Sequence, residues 1–290
     1  MPSCSLLLLK RKPWLLCLLL LAPLAAINLT VFVLPVAELI GISFIKGSSS
    51  GVLTSTHTIG NYISFLSDPY YLELIPTSLA VSFIATLAAL ICSYPIALFL
   101  YRAPARWRNI LFVITVSPLL VSSVVRTFGW MSLLGDQGVI NAALLYLGII
   151  RQPLELVNNY IGVFIGLVEI LMPYMALCLI AGFGRLDNFY EEAAASLGAS
   201  PFYRLWYVIF PFDVPGVMLG CLLCFVLALS AFVTPKLLGG GRVFLLATEI
   251  YDQAVVQLQW PMAATISVVI LVLFTVALIG YSRLLRRVEA

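Results

Sequence analysis

Charge is what this sequence has least of. Of its 290 residues only 10% are Asp, Glu, Lys or Arg, and His57 is the single histidine. Soluble domains average about 25% charged and roughly 45–50% apolar residues, whereas here 62% are hydrophobic and mean hydropathy is +1.08. A water-soluble fold is excluded, because one core could not hide that much apolar surface. Signatures of catalysis are also missing: there is no HExxH and no phosphate-cradling GxxxxGK[ST]. The run Gly239-Gly240-Gly241 is not followed by Lys and Ser or Thr, so it reads as a loop. The chain is therefore not expected to be an enzyme or to bind a metal or cofactor, and any ATP chemistry belongs to a partner. Nothing points to nucleic acid.

What is present is apolar length. Uncharged stretches run Pro13 to Ala37, Leu74 to Tyr101, Asn109 to Val125, Val214 to Pro235 and Met262 to Ser282; another, Tyr160 to Gly184, is broken only by Glu169. At about 20 apolar residues per crossing, these are six candidate membrane helices in an all-α polytopic fold, with the lipid bilayer as solvent. Six crossings put both termini on one side, and the distribution of Lys and Arg identifies it. With cytoplasmic termini the inner segments hold Lys10, Arg11, Lys12, Arg102, Arg106, Arg108, Arg185, Arg204, Arg283, Arg286 and Arg287, against Lys46, Arg126, Arg151, Lys236 and Arg242 outside. Eleven against five favours that orientation. The acids Asp68, Glu73, Asp136, Glu155, Glu249 and Asp252 then fall outside.

Lys10-Arg11-Lys12 before an apolar run resembles a secretory leader, with small residues at Ala22, Ala25 and Ala26. Hydrophobicity continues to Val36, beyond a leader's apolar region of about 7–15 residues, so the stretch reads as a retained span. Cys4, Cys17, Cys92, Cys178, Cys221 and Cys224 fall in or beside spans, and the Cys221-x-x-Cys224 pair, without His or acidic neighbours, reads as packing. His57, in the Ser/Thr/Gly-rich stretch Gly47 to Gly60, reads as a solvated loop residue.

The most informative segment joins the fourth and fifth spans. Asn188 with Glu191 three residues later fits a capping box, and the alanine run after it favours helix. Gly198 is a natural stop, and Ser200-Pro201 offers an N-cap and first-turn proline for a second helix. Phe189, Ala193 and Leu197 recur at i, i+4 and i+8, lining one face. A short helix with such a face and paired acids Glu191 and Glu192 suits docking into a protein groove. Lipid-surface helices prefer Lys and Arg on their polar side.

Glu192-Ala193-Ala194, three residues, Gly198, nine residues, then Val208-Ile209-Phe210-Pro211 resembles the EAA loop of permease subunits in ABC importers. Val208 and Phe210 replace that pattern's Ile and Leu and leave the spacing intact. The resemblance extends to Val125-Arg126-Thr127-Phe128-Gly129-Trp130, to Leu134 through Asn141, to Thr234 through Gly240, and to Gln259 through Ala264. These segments are similar to the first permease of spermidine/putrescine-type systems, with opine, iron, sulfate and amino-acid-like permeases sharing parts of them.

That resemblance implies a type I importer (MetI-like) permease fold in a bacterial inner membrane, with a cytoplasmic tail 1–12 and a permease domain 13–290. It implies a second permease subunit, two copies of an ABC ATPase carrying ATP and Mg, and a periplasmic binding protein. The coupling loop 185–206 would seat in the ATPase, with Phe189, Glu191, Glu192, Ala193, Ala194, Leu197 and Gly198 as its working residues. For the substrate path, Glu169 is an intramembrane carboxylate that either meets a cationic substrate or pairs with Arg126 or a partner's polar group. Trp130, Tyr174 and Phe232 offer aromatic faces for a cation, or pack. Pro95, Pro118 and Pro173 are expected to kink their spans. An ion-coupled secondary transporter is the competing class, but it leaves the acidic-alanine loop unexplained and lacks an obvious internal repeat.

Overall fold

The computed structural model describes residues 13–47, 56–184 and 186–288. Lys10-Arg11-Lys12, Cys4 and Arg185 lie outside them. The helices are α1 (Pro13–Asn28), α2 (Leu34–Ser43), α3 (Gly60–Ser67), α4 (Pro69–Arg102), α5 (Ala105–Val116), α6 (Ser123–Leu134), α7 (Val139–Tyr146), α8 (Tyr160–Phe183), α9 (Asn188–Ser196), α10 (Pro201–Arg204), α11 (Phe210–Ser230), α12 (Val233–Leu238), α13 (Leu246–Tyr251) and α14 (Trp260–Val288). Single π-turns join α1 to α2 and α10 to α11, and another follows α13.

Among the described residues, five helical stretches are long and apolar enough to span a membrane, or six if one bent pair counts as a single span. That pair corrects the third expected span. Asn109 to Val125 is not one helix: α5 runs into a 3₁₀ turn at Ser117–Leu120, Val121 and Ser122 are extended, and α6 leaves after a 98° bend. Pro118 sits in that turn, where its ring removes a helical donor; Ser117 before it keeps α geometry, and the chain departs from it at Val121. Pro95 and Pro173 lie within continuous α4 and α8. The fifth span lies earlier in the chain than expected: its continuous helix runs Pro201–Ser230, and Pro235 belongs to the separate α12. The first runs longer: α1, its π-turn and α2 carry helix to Ser43.

The centre is a three-helix contact of α4, α8 and α11. On α4 the buried positions Ser78, Ser82, Ala85, Ala89, Ser93 and Ala97 follow one another at three- and four-residue intervals, a stripe of small side chains. In lipid, small residues let helix backbones approach closely enough for dispersion contacts to hold them. Ser93 Oγ then donates to the Met172 carbonyl of α8 at 3.0 Å. Between α8 and α11, Gly216 and Gly220 form a GxxxG pair whose neighbours are Gly182, Cys178 and Met175. Cys224, beyond it, donates its thiol to the Leu171 carbonyl at 3.6 Å.

A smaller core of Phe65, Tyr71, Leu74, Leu246, Ile266 and Ile270 gathers α3, α13 and α14 around the start of α4. At that same end Asn141, fully buried, ties the segment after α6 together. It donates to the Gly135 and Leu154 carbonyls and accepts from the Leu154 N–H. The segment 186–206 closes the opposite end.

Candidate functional site

The loop between α8 and α11 is built from local signals with one shift of register. Asp187, not Asn188, is the N-cap of α9: its carboxylate accepts the Phe189 N–H at 3.1 Å. Both residue types cap well, so sequence left a one-residue ambiguity that the extended backbone of Asp187 resolves. The expected Asn188–Glu191 box is therefore not what starts this helix. Its end is as expected. Gly198 has φ +85°, a left-handed value, while its N–H and that of Ala199 reach back to the Ala195 and Ala194 carbonyls. Ser200 Oγ then accepts from Tyr203 N at 3.3 Å, with Pro201 in the first turn of α10.

This leaves apolar tips in the open. Phe189 is 68% and Leu197 89% exposed, Ala193 and Ala194 are half-buried and Glu192 is exposed. Glu191 behaves differently from Glu192. Its Oε1 lies 2.6 Å from Arg102 Nη2, at the end of α4, and 3.6 Å from Arg204 Nη1 of α10. Tyr101 Oη donates to the Leu186 carbonyl at 2.9 Å beside it. The loop is thus pinned to α4 by two consecutive residues. Arg102 and Glu191 are 89 positions apart, so no sequence pattern could have paired them.

Among the candidate path residues the structure unites two and separates two. Glu169 lies ten residues into α8, about 15 Å along its axis, and thus near mid-membrane. Its Oε2 is 3.3 Å from Arg126 Nε. Trp130, one turn beyond Arg126, faces the same carboxylate. Glu169 also lines a cavity of about 560 Å³ between α4, α5 and α8, walled by Pro95, Phe99, Ile114, Pro118 and Pro173 among others. Tyr174 is packed against the central core. Phe232 is elsewhere, stacked on Tyr251 at 5.1 Å beside a second cavity of about 420 Å³. There Lys236 pairs with Asp252 at 2.5 Å and lies 5.5 Å from the Tyr251 ring centre.

Two acids escaped sequence reasoning. Asp213 is fully buried under the Gly182/Gly216 crossing, and neither its carboxylate oxygens nor Tyr94 Oη has a hydrogen-bond partner among the described residues. It borders an uncharged stretch and reads there as a span end. Glu249, 3% exposed, accepts from Tyr70 Oη at 2.8 Å and from Gln253 Nε2 at 2.8 Å. The i, i+4 spacing of Glu249 and Gln253 was visible; the tyrosine was not.

The inner membrane component of binding-protein-dependent transport systems matches over residues 93–290, more than half of the chain. The spermidine/putrescine transport system permease protein PotB of Haemophilus influenzae is 35% identical over 256 residues, 88% of this chain and 89% of that protein. PotB of Escherichia coli is 35% identical over 263 residues, 89% of this chain and 95% of that one. In fold, the chain resembles a chain in the crystal structure of a bacterial alginate ABC transporter in complex with an alginate pentasaccharide-bound periplasmic protein, with TM-score 0.74 and 17% identity over 97% of this chain and 96% of the other. With the multi-span bundle, these matches place the chain in the family of inner membrane components of binding-protein-dependent transport systems.

Proposed function

We propose that this chain is a permease subunit of an ATP-driven importer for a small polyamine of the spermidine or putrescine class. The observation that carries the reading is 35% identity, over nearly the whole length of both chains, to permeases named for those solutes. A mid-membrane carboxylate in an otherwise uncharged cavity suits a flexible cation, which needs its charge met without full dehydration.

The 186–206 end faces the cytoplasm, as the Lys and Arg distribution favours. There the exposed Phe189 and Leu197 enter a groove of the ATPase and Glu192, whose carboxylate is exposed, supplies the intermolecular ionic contact. Ala193 and Ala194 allow close approach, and Gly198 makes the turn. ATP and Mg are held by two copies of that ATPase, a second permease completes the path, and a periplasmic protein delivers the solute. ATPase closure moves α9, and the contacts of Leu186 and Glu191 with α4 carry the displacement into the bundle. Alternating access then follows from rigid-body motion biased by nucleotide.

Purification of the chain with its genomic neighbours tests this. The expected result is a co-purifying ATPase whose activity rises when the cognate binding protein presents spermidine or putrescine. Proton-driven uptake by the isolated chain would overturn it.

A further inference from the structure

Among the described residues Glu169 is the only charged one lining the mid-membrane cavity, and it is already paired with a cation. Arg126 holds it from α6, just past the 98° bend, while Arg126 Nη1 donates to the Pro118 carbonyl on the other side of that bend at 3.0 Å. Pro118 itself lines the cavity. One guanidinium therefore bridges the broken span and the carboxylate that a cation entering the cavity would meet.

The bridge is incompletely made. Arg126 Nε and Glu169 Oε2 are shut off from solvent, yet at 3.3 Å they form no hydrogen bond. Their attraction is that of charges alone. A buried carboxylate with no cation is costly in a membrane, so an empty cavity needs a resident counter-charge. A cavity that keeps one permanently cannot hold a substrate ammonium by charge.

From this we infer that Arg126 is a tethered stand-in for the substrate: it occupies Glu169 when the path is empty and is exchanged for a substrate ammonium group on loading. The exchange is isoelectric at the carboxylate, since one cation leaves it as another arrives, while the displaced guanidinium keeps its charge beside the Pro118 carbonyl. Arg126 keeps the Pro118 carbonyl as its second acceptor, so its departure from Glu169 is accommodated at the bend. Trp130, whose indole N–H is a donor to Glu169, keeps the carboxylate in place while the cations change over. Arg126 thus sets affinity and selectivity by competing with the substrate. The inference rests on the polyamine reading above.

The test uses the assembled importer in proteoliposomes with spermidine as the probe. Because Arg126 occupies the binding-competent carboxylate in most of the empty population, Arg126→Gln should lower the apparent KM for spermidine by roughly threefold or more. Glu169→Gln should raise it about tenfold, and the double variant should behave as Glu169→Gln alone. Arg126→Lys keeps the charge without the fork that holds both acceptors, and should fall between wild type and Arg126→Gln. It keeps the inference testable if Arg126→Gln does not assemble. A raised KM in both Arg126 variants, or equal losses in Arg126→Gln, Glu169→Gln and the double variant, would overturn the exchange and leave a structural pair. No spermidine uptake by the wild type would overturn the polyamine reading and the exchange together; uptake by the wild type with a raised KM in the Arg126 variants overturns the exchange alone.

Discussion

Gly216 and Gly198 both resist an ordinary side chain, for opposite reasons. At the α8/α11 crossing a Cβ on Gly216 would stand 2.8 Å from Gly182 Cα and 3.0 Å from the Cys178 carbonyl oxygen, both backbone atoms that cannot swing aside. In the loop a Cβ on Gly198 would meet nothing within 4 Å, but φ there is +85°. The crossing is limited by volume and the loop by dihedral angle. The interior of the bundle is therefore a packing problem shared among helices, whereas the loop is a local construction, complete in its own caps and turn, that is then fastened to α4. Charge follows the same division: Asp213 is enclosed at the crossing, while Glu191 sits between two arginines with solvent nearby.

Four substitutions probe that division. Gly216→Val should have the largest effect, a loss of more than about 3 kcal/mol from overpacking against backbone. The importer should then fail to purify as a monodisperse assembly, and a wild-type-like melting temperature would show that the crossing is not tight. Gly198→Val comes next, since a left-handed residue with a side chain costs about 1–2 kcal/mol. Assembly should survive while solute imported per ATP hydrolysed falls, and Gly198→Asn, better tolerated at positive φ, should recover most of the loss. An unchanged transport ratio for Gly198→Val would separate the turn from coupling.

Glu191→Gln should cost no more than about 1 kcal/mol, because Arg102 is solvent-accessible and such pairs are screened. Its transport ratio should nonetheless drop, and Arg102→Glu combined with Glu191→Arg should restore it. Failure of that exchange would mean that the pinning of the loop to α4 is incidental. Glu192→Ala should be smallest in stability, within about 0.5 kcal/mol as for an exposed position, yet should weaken retention of the ATPase in pull-down. A pair in which Glu191→Gln weakens retention and Glu192→Ala does not would reverse the roles assigned to these neighbours.

How much of this was legible in the sequence depended on range. The spans, the loop, the left-handed stop at Gly198 and the Ser200-Pro201 start are written in composition and in residues a few positions apart. The cap on α9 was misplaced by one residue because Asp187 and Asn188 are both competent. Pro118 marked a kink, but its extent depends on the extended backbone of Val121 and Ser122 that follows. Contacts across the fold, such as Arg102 with Glu191 and Tyr70 with Glu249, have no local trace. The aromatic candidates show the same limit: Trp130 joins Glu169 across the fold, whereas Tyr174 packs on the central core and Phe232 stacks on Tyr251.

One further consequence lies in the length of α4. Its 34 residues make a rod of about 51 Å, longer than the roughly 30 Å hydrocarbon layer. Tyr101 and Arg102 grip the loop at one end; towards the other, Ser78 accepts the Leu246 N–H at 2.9 Å and Tyr70 donates to Glu249. A tilt of about 5° at the loop end sweeps the far end through roughly 4 Å, more than the length of a hydrogen bond. A shift of that size exceeds the reach of those two hydrogen bonds, so any tilt of α4 must either break them or carry α13 along with it.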